Sequence, residues 1–316
     1  MKKVYLYILL GIFIVSSTET ILKLAGHTFD NGIQVNFLRF LIGGLALLIP
    51  VNRRLKKRNR QLKAIDYIIF GLLGFLFIVV SMTLYQFGIE VGSASTVAIL
   101  FSCNPVFNTI FSYFILKEKI SKKNAFAIVV STTGILITIC QYIGNANIGI
   151  IFALASAVIF GLYSTLSRQV SQKFDVDVLT ITCYSFLFGA IEQAVLMAIS
   201  HIDEISAFLK QNPYLKQFAE IPFVTGISIN NLLLLLYLSV IVTAGGFALY
   251  FICLREAGSS LSSVIFFAKP AVAPFFATII LNEKISPYTL AGIVVIMVGS
   301  YLTYRESRNI NRVANP

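Results

Sequence analysis

Five charged residues, Glu19, Lys23, Arg39, Glu192 and Lys269, stand inside stretches that are otherwise apolar. A charge in such surroundings costs about 2.5–3.5 kcal/mol to insert into a bilayer, so it persists where it binds a solute, relays a proton or pairs with an opposite charge. Lys269 is the most informative of the five. It lies ten residues into its apolar run, about 15 Å along a helix, too deep for its side chain to reach either surface easily. Pro270 follows it and Pro274 comes one turn later. Each proline removes an amide donor, which frees the carbonyls of Phe266 and Pro270 to face a cavity. The run 93–116 carries the same device in Asn104 and Pro105, where the carbonyl of Phe101 is freed. A polar side chain beside a helix break, present twice, marks an expected substrate site.

The remaining candidates group around this pair. Glu19, flanked by Ser16, Ser17, Thr18 and Thr20, is suited to hold a proton or a cationic group, or else to neutralise Lys23 one turn further on. Lys269 has a structural alternative too, as the partner of a carboxylate such as Glu192 or Glu19. Arg39 can attract an anion or serve structure alone. Lys269 and Arg39 with Glu19 and Glu192 form a charge set that suits a zwitterion. Tyr85 and Tyr250 are candidate cavity walls. Glu118 and Glu283 close two apolar runs and read as caps, or as partners of Lys119 and Lys284. No catalytic residue is identified: the chain has no nucleophile, base or metal cluster, and no nucleotide-binding GxxxxGK[ST], HExxH or GxSxG motif. Cys103, Cys140, Cys183 and Cys253 each lie alone in an apolar stretch, and His27 and His201 fall in predicted loops, so no metal and no cofactor is expected.

These residues must be positioned by helices in lipid. Of 316 residues 57% are hydrophobic and 12% charged, about half the charge of a soluble domain. A hydrocarbon core needs roughly 20 helical residues. Ten runs meet that need: 4–24, 34–51, 66–88, 93–116, 123–141, 148–170, 178–199, 229–253, 259–281 and 287–304. The opening Met1-Lys2-Lys3 imitates a signal peptide, but nine more apolar runs follow, and it reads as an uncleaved first span. Long, non-alternating runs are not barrel strands, so the fold class is all-α, a polytopic bundle. The net charge of +11 suggests nucleic acid only in a soluble chain; here the cations sit in short loops. Of the 25 Lys and Arg residues, 19 fall on the side of both termini and three on the other, which puts both termini in the cytoplasm. The run 53–63 sets that topology or touches anionic lipid. The 201–228 stretch is the long outer loop.

A shift of 165 residues lays 85–139 over 250–304 with 16 identities in 55 positions. They include Tyr85/Tyr250, Ser95/Ser260, Pro105/Pro270, Glu118/Glu283 and Gly134/Gly299, and LKEKIS recurs as LNEKIS. Five spans per half is an odd number, so the second copy is inverted: 1–146 is the first repeat, 147–306 the second and 307–316 a cytoplasmic tail. With ten spans in two halves, central prolines in helices 4 and 9, a Glu closing each, glycines in helices 5 and 10 and Arg39 early in helix 2, the chain resembles the drug/metabolite transporter superfamily in its EamA-type branch. It departs in having no tryptophan and in the 201–228 loop.

The resemblance implies a carrier for small metabolites, often an exporter, with a cavity lined by both halves. The expectation is a secondary transporter in the cell membrane for an amino acid or similar solute, contacting lipid, with protons as a candidate coupling partner, as a monomer or homodimer. Its rival is a multidrug or cationic-compound exporter that relies more on aromatics; a membrane enzyme or an inert scaffold has little support.

Overall fold

The computed structural model describes residues 2–29, 31–118, 121–140, 148–212 and 215–314. Among the described residues every regular element is helical, as apolar backbone without access to water requires. Helices α1 (Lys2–Ser16) and α2 (Thr18–Thr28) form the first span, and α3 (Gly32–Lys57) the second. The third joins α4 (Ala64–Gly74), a π-helical stretch (Phe75–Met82) and α5 (Thr83–Val91); the fourth joins α6 (Ala94–Phe101) and α7 (Asn104–Ile115). Then come α8 (Lys122–Cys140), α9 (Ile148–Phe174), α10 (Val178–Ile199) and the short α11 (Asp203–Gln211). Helix α12 (Ile229–Leu236), a second π stretch (Tyr237–Gly245), α13 (Gly246–Phe267), α14 (Lys269–Leu281) and α15 (Pro287–Ala314) complete the chain.

Among the described residues seven helical stretches are long and apolar enough to cross a membrane, and Ala125–Cys140, Lys269–Leu281 and Pro287–Leu302 are shorter apolar helices. Each of the ten expected runs coincides with one of these helices, although Lys269–Leu281 fills only the second half of run 259–281. The boundary between runs eight and nine differs from expectation, because α13 continues through it. A Cβ on Gly246 would meet Val15, and one on Gly11 would meet Ile265. A straight helix would hold 246 and 265 about 28 Å apart, whereas Gly11 and Val15 are one turn apart, so the chain reverses within α13.

Side chains that meet lipid follow helical spacing. Ile65, Ile68, Leu72 and Phe75 make one exposed apolar stripe along the third span. The tightest internal seam joins α8 to α15. There a Cβ on Gly134 would come within 2.6 Å of Ile296, and one on Gly299 within 2.2 Å of Ser131 Oγ. Glycine lets these two helices approach to backbone contact, the usual device of membrane helix pairs.

Polar contacts sort the loops into two ends. At the basic end Arg60 Nη2 donates to the Phe174 carbonyl at 2.8 Å, Arg54 pairs with Asp177 at 3.5 Å, and Arg168 pairs with Glu118. At the loop end Asn31 Nδ2 donates to Gln217 O at 2.8 Å and Gln34 Nε2 to Thr225 O at 2.6 Å. Segment 201–228 thus lies over the start of α3. Phe218 meets Phe87 at 5.3 Å and Phe223 meets Phe37 at 6.1 Å, which anchors the segment by its rings.

Candidate functional site

Two spans break at equivalent places. α6 stops at Phe101 and α7 restarts at Asn104; α13 stops at Phe267 and α14 restarts at Lys269, with proline in the first turn of each restarting helix. Proline suits that position because its missing amide has no intrahelical partner there anyway. The span starting with α1 breaks as well, at Ser17, whose hydroxyl donates to Ile14 O at 2.8 Å. Competition of that hydroxyl for a backbone carbonyl is a local cause of the bend.

These breaks bring Lys269 to Glu19. The ammonium stands 2.6 Å from Glu19 Oε1, and the pair is sealed, with Lys269 6% and Glu19 1% exposed. The Tyr85 hydroxyl donates to the same carboxylate oxygen, and Lys269 Nζ lies 3.5 Å from that hydroxyl. The ammonium also faces the Phe101 ring at 5.4 Å and the Tyr85 ring at 5.9 Å. Tyr85 and Phe101 pack at 4.5 Å, and Phe101 continues to Phe160 at 5.2 Å, so one wall of the cluster is aromatic. Glu19 Oε2, Ser16 Oγ and Thr20 Oγ1 are buried without a hydrogen-bond partner. Buried polar atoms in that state call for an explanation, and they single out this cluster as the candidate site.

Arg39 is one turn away. Its Nη2 lies 3.9 Å from Met82 Sδ, and Met82 precedes Tyr85 by one helical turn. The guanidinium stacks 4.3 Å over Phe40 while Nε has no partner, and the side chain is 6% exposed. Glu19 pairs with Lys269, and Arg39 stands close by as a second buried cation, so the cluster carries a formal surplus of positive charge.

The other expected residues lie elsewhere. Asn104 turns back on its own break, its Nδ2 donating to the freed Phe101 carbonyl at 2.8 Å. Tyr250 packs its ring on Phe266 at 5.1 Å and Phe251 at 5.3 Å. Glu192 sits beside Gly71, where a Cβ would meet its Oε1 at 3.4 Å, so of the two possible carboxylate partners Lys269 takes Glu19. Pro105, Pro270 and Pro274 all stand in or just inside the restarting helices.

Lys23 does not pair with Glu19. Its ammonium donates to the carbonyls of Ile89 (2.7 Å), Glu90 (3.0 Å) and Gly92 (2.7 Å), capping the end of α5. Glu283 binds the Ala94 amide (2.8 Å), the Ser95 amide (3.1 Å) and the Ser95 hydroxyl (2.6 Å) at the start of α6. Glu118 takes the Arg168 guanidinium through both oxygens. The suggested partner Lys119 lies outside the described residues. None of these three contacts is marked by local sequence, because each partner is distant and two are backbone groups.

Comparison with known proteins gives one consistent family. The model of the EamA-like transporter family matches residues 2–140 and again 147–305. An uncharacterized transporter of Clostridium kluyveri is 33% identical over 100% of this chain and 98% of its own. The uncharacterized transporter YcxC of Bacillus subtilis is 25% identical, covering 93% of this chain and 90% of its own. A solved crystal structure shares the fold with a TM-score of 0.63 and 16% identity, over 98% of this chain and 99% of that one.

Proposed function

Because the chain belongs to the EamA-like transporter family, we propose that it is a secondary carrier that exports a small amphipathic metabolite bearing a carboxylate, an amino acid or a close analogue. The observation that carries this reading is the buried group of Lys269, Glu19, Tyr85 and Arg39 beside the breaks at residues 102–103 and 268. A carboxylate entering the cluster exchanges with Glu19 for Lys269, and Arg39 supplies the second cation. The rings of Tyr85 and Phe101 receive the apolar part of the solute.

Exchange of partners releases Glu19, which then takes up a proton or the amino group of the solute. Such an event ties the occupancy of the site to the charge inside it, as a coupled carrier requires. In this reading the two halves form an inverted repeat around a central cavity, the protein lies in the cell membrane with both termini cytoplasmic, and the loop end is external. The surplus positive charge argues against the rival substrate class, cationic drugs, which would need a surplus of carboxylates.

The test is uptake of labelled amino acids, organic acids and a cationic dye into inverted membrane vesicles. The wild type should accumulate a carboxylated solute. Lys269→Met combined with Glu19→Gln keeps the volume and removes both charges, and should abolish that accumulation with protein level maintained. Transport of the dye alone, undiminished in the double variant, would overturn the proposal.

A further inference from the structure

The two family matches begin 145 residues apart, at 2 and 147, and end 165 apart, at 140 and 305. The difference is accommodated by segment 201–228, which the first half lacks. At the 145 shift Lys23 aligns with Arg168, Phe29-Asp30 with Phe174-Asp175, and Gly44 with Gly189; at the 165 shift Ser95 aligns with Ser260 and Glu118 with Glu283. The residues that tie the loop end together therefore have counterparts in the other repeat.

At the loop end the tie is a closed electrostatic unit around the reversal between α5 and α6. Lys23 covers three carbonyls at the end of α5, and Glu283 covers two amides and a hydroxyl at the start of α6. Each charge sits on the helix end of opposite polarity. Lys23 comes from the first span and Glu283 from the end of α14, so the unit clamps three separate parts of the bundle. It lies one helical turn beyond Glu19, between the Lys269 cluster and a loop-end cavity of about 290 Å³ that Lys23, Phe87 and Glu90 help to line.

The counterpart Glu118 stands at the opposite end of its span. Residues Ala94–Ile115 make 22 positions, about 33 Å of helix. There Glu118 is held by Arg168, the counterpart of Lys23. One end thus carries Glu283, Lys23 and Ser95, and the other carries Glu118 and Arg168.

We propose that Glu283 and Glu118 are the latch residues of two opposed gates, Glu283 closing the loop end by holding the start of α6 at Ser95 and Glu118 closing the basic end by holding the Arg168 guanidinium of α9. The inference rests on the transport reading above and adds to it the groups that decide which way the site opens. Breaking one latch favours opening to its own side and so depletes opening to the other. Twin substitutions must then act with opposite signs, which damage to the fold cannot imitate.

The experiment uses full-length protein with the four native cysteines replaced by alanine and a reporter, Ser16→Cys, at a buried position three residues before Glu19. Reactivity with an impermeant thiol reagent is measured without substrate from the loop end, in intact cells or inverted vesicles. A second protein with Phe208→Cys, whose side chain is 64% exposed, establishes which preparation presents that end. Glu283→Gln should raise the labelling rate on the order of tenfold, since it weakens charge-assisted hydrogen bonds. Ser95→Ala should raise it less, and it serves as the test if the first variant does not fold. Glu118→Gln should lower labelling below wild type, and the double variant Glu283→Gln/Glu118→Gln should return close to it. Glu283→Gln and Glu118→Gln moving the rate in the same direction, or neither moving it, overturns the gates. Vesicle uptake measured separately tells that outcome apart from failure of the transport reading, because labelling needs no substrate.

Discussion

The break at Asn104 and the break at Lys269 share a plan and differ in their chemistry. Both place a polar residue and then a proline at the start of a restarting helix. Asn104 satisfies itself, closing on Phe101 O three residues back. Lys269 depends on another span, since its partners Glu19 and Tyr85 come from α2 and α5. Repetition supplied the geometry twice, and divergence at one position of each copy turned one break into a local hinge and the other into a junction. The comparison teaches that the repeat locates a candidate site, while the departure from it determines the chemistry on offer there.

The comparison can be broken most sharply at the junction. Lys269→Met removes one partner of a buried ion pair and strands Glu19, at an expected cost of about 3–5 kcal/mol. Adding Glu19→Gln should recover most of that loss in thermal unfolding of the detergent-solubilised protein. A single variant as stable as wild type would mean that the junction does not hold the fold.

The hinge should respond less and independently. Asn104→Ala leaves the Phe101 carbonyl without its side-chain donor, at an expected cost of about 1–2 kcal/mol. Because Asn104 shares no partner with Glu19, the loss should be the same in a Glu19→Gln background, within about 0.5 kcal/mol. Strong coupling between the two would show that the breaks move as one body.

The smallest effect serves as a control outside both. Glu220 is held below the usual carboxylate range by the hydrogen bond from Lys210, then by that from Ser206. A depressed folded value means that its contribution is present above the ordinary carboxylate pKa and is lost as pH falls through the folded one. Acidification should therefore raise amide exchange in segment 201–228 only slightly, and Glu220→Gln should remove that pH dependence. A change reaching the Lys269 cluster would tie the loop to the site.

How much of this was legible depends on where each partner lies. Spans, breaks and the choice of Lys269 follow from local pattern: a lysine in an apolar run and a proline beside it are visible within ten residues. Glu19 was one of two candidate partners, and only packing separated it from Glu192. Lys23 was legible as a buried cation but not as a cap, because backbone carbonyls carry no mark in sequence. The same holds for Glu283, whose partners are amides at the start of α6. The bend at Ser17 has no proline to announce it. The π stretches Phe75–Met82 and Tyr237–Gly245 lie at overlapping places in the two repeats, yet hydrophobic pattern does not distinguish them from α-helix.

The pairing of Glu19 with Lys269 also sets a problem of timing. The two residues are 250 positions apart, from 19 to 269, and a ribosome adding about 5–20 residues per second takes roughly 12–50 s to cover that distance. A first span inserted early would spend that interval with its carboxyl group lacking its final partner. Lys23, one turn away on the same helix, is the cation at hand, and a provisional i, i+4 pairing lowers the cost of waiting. Once the third span is made, its terminal carbonyls claim Lys23, and Glu19 is left to the Tyr85 hydroxyl until the ninth span arrives. In that order of synthesis one carboxyl group would change partners twice, and a chain stopped before residue 269 would lack the last of them.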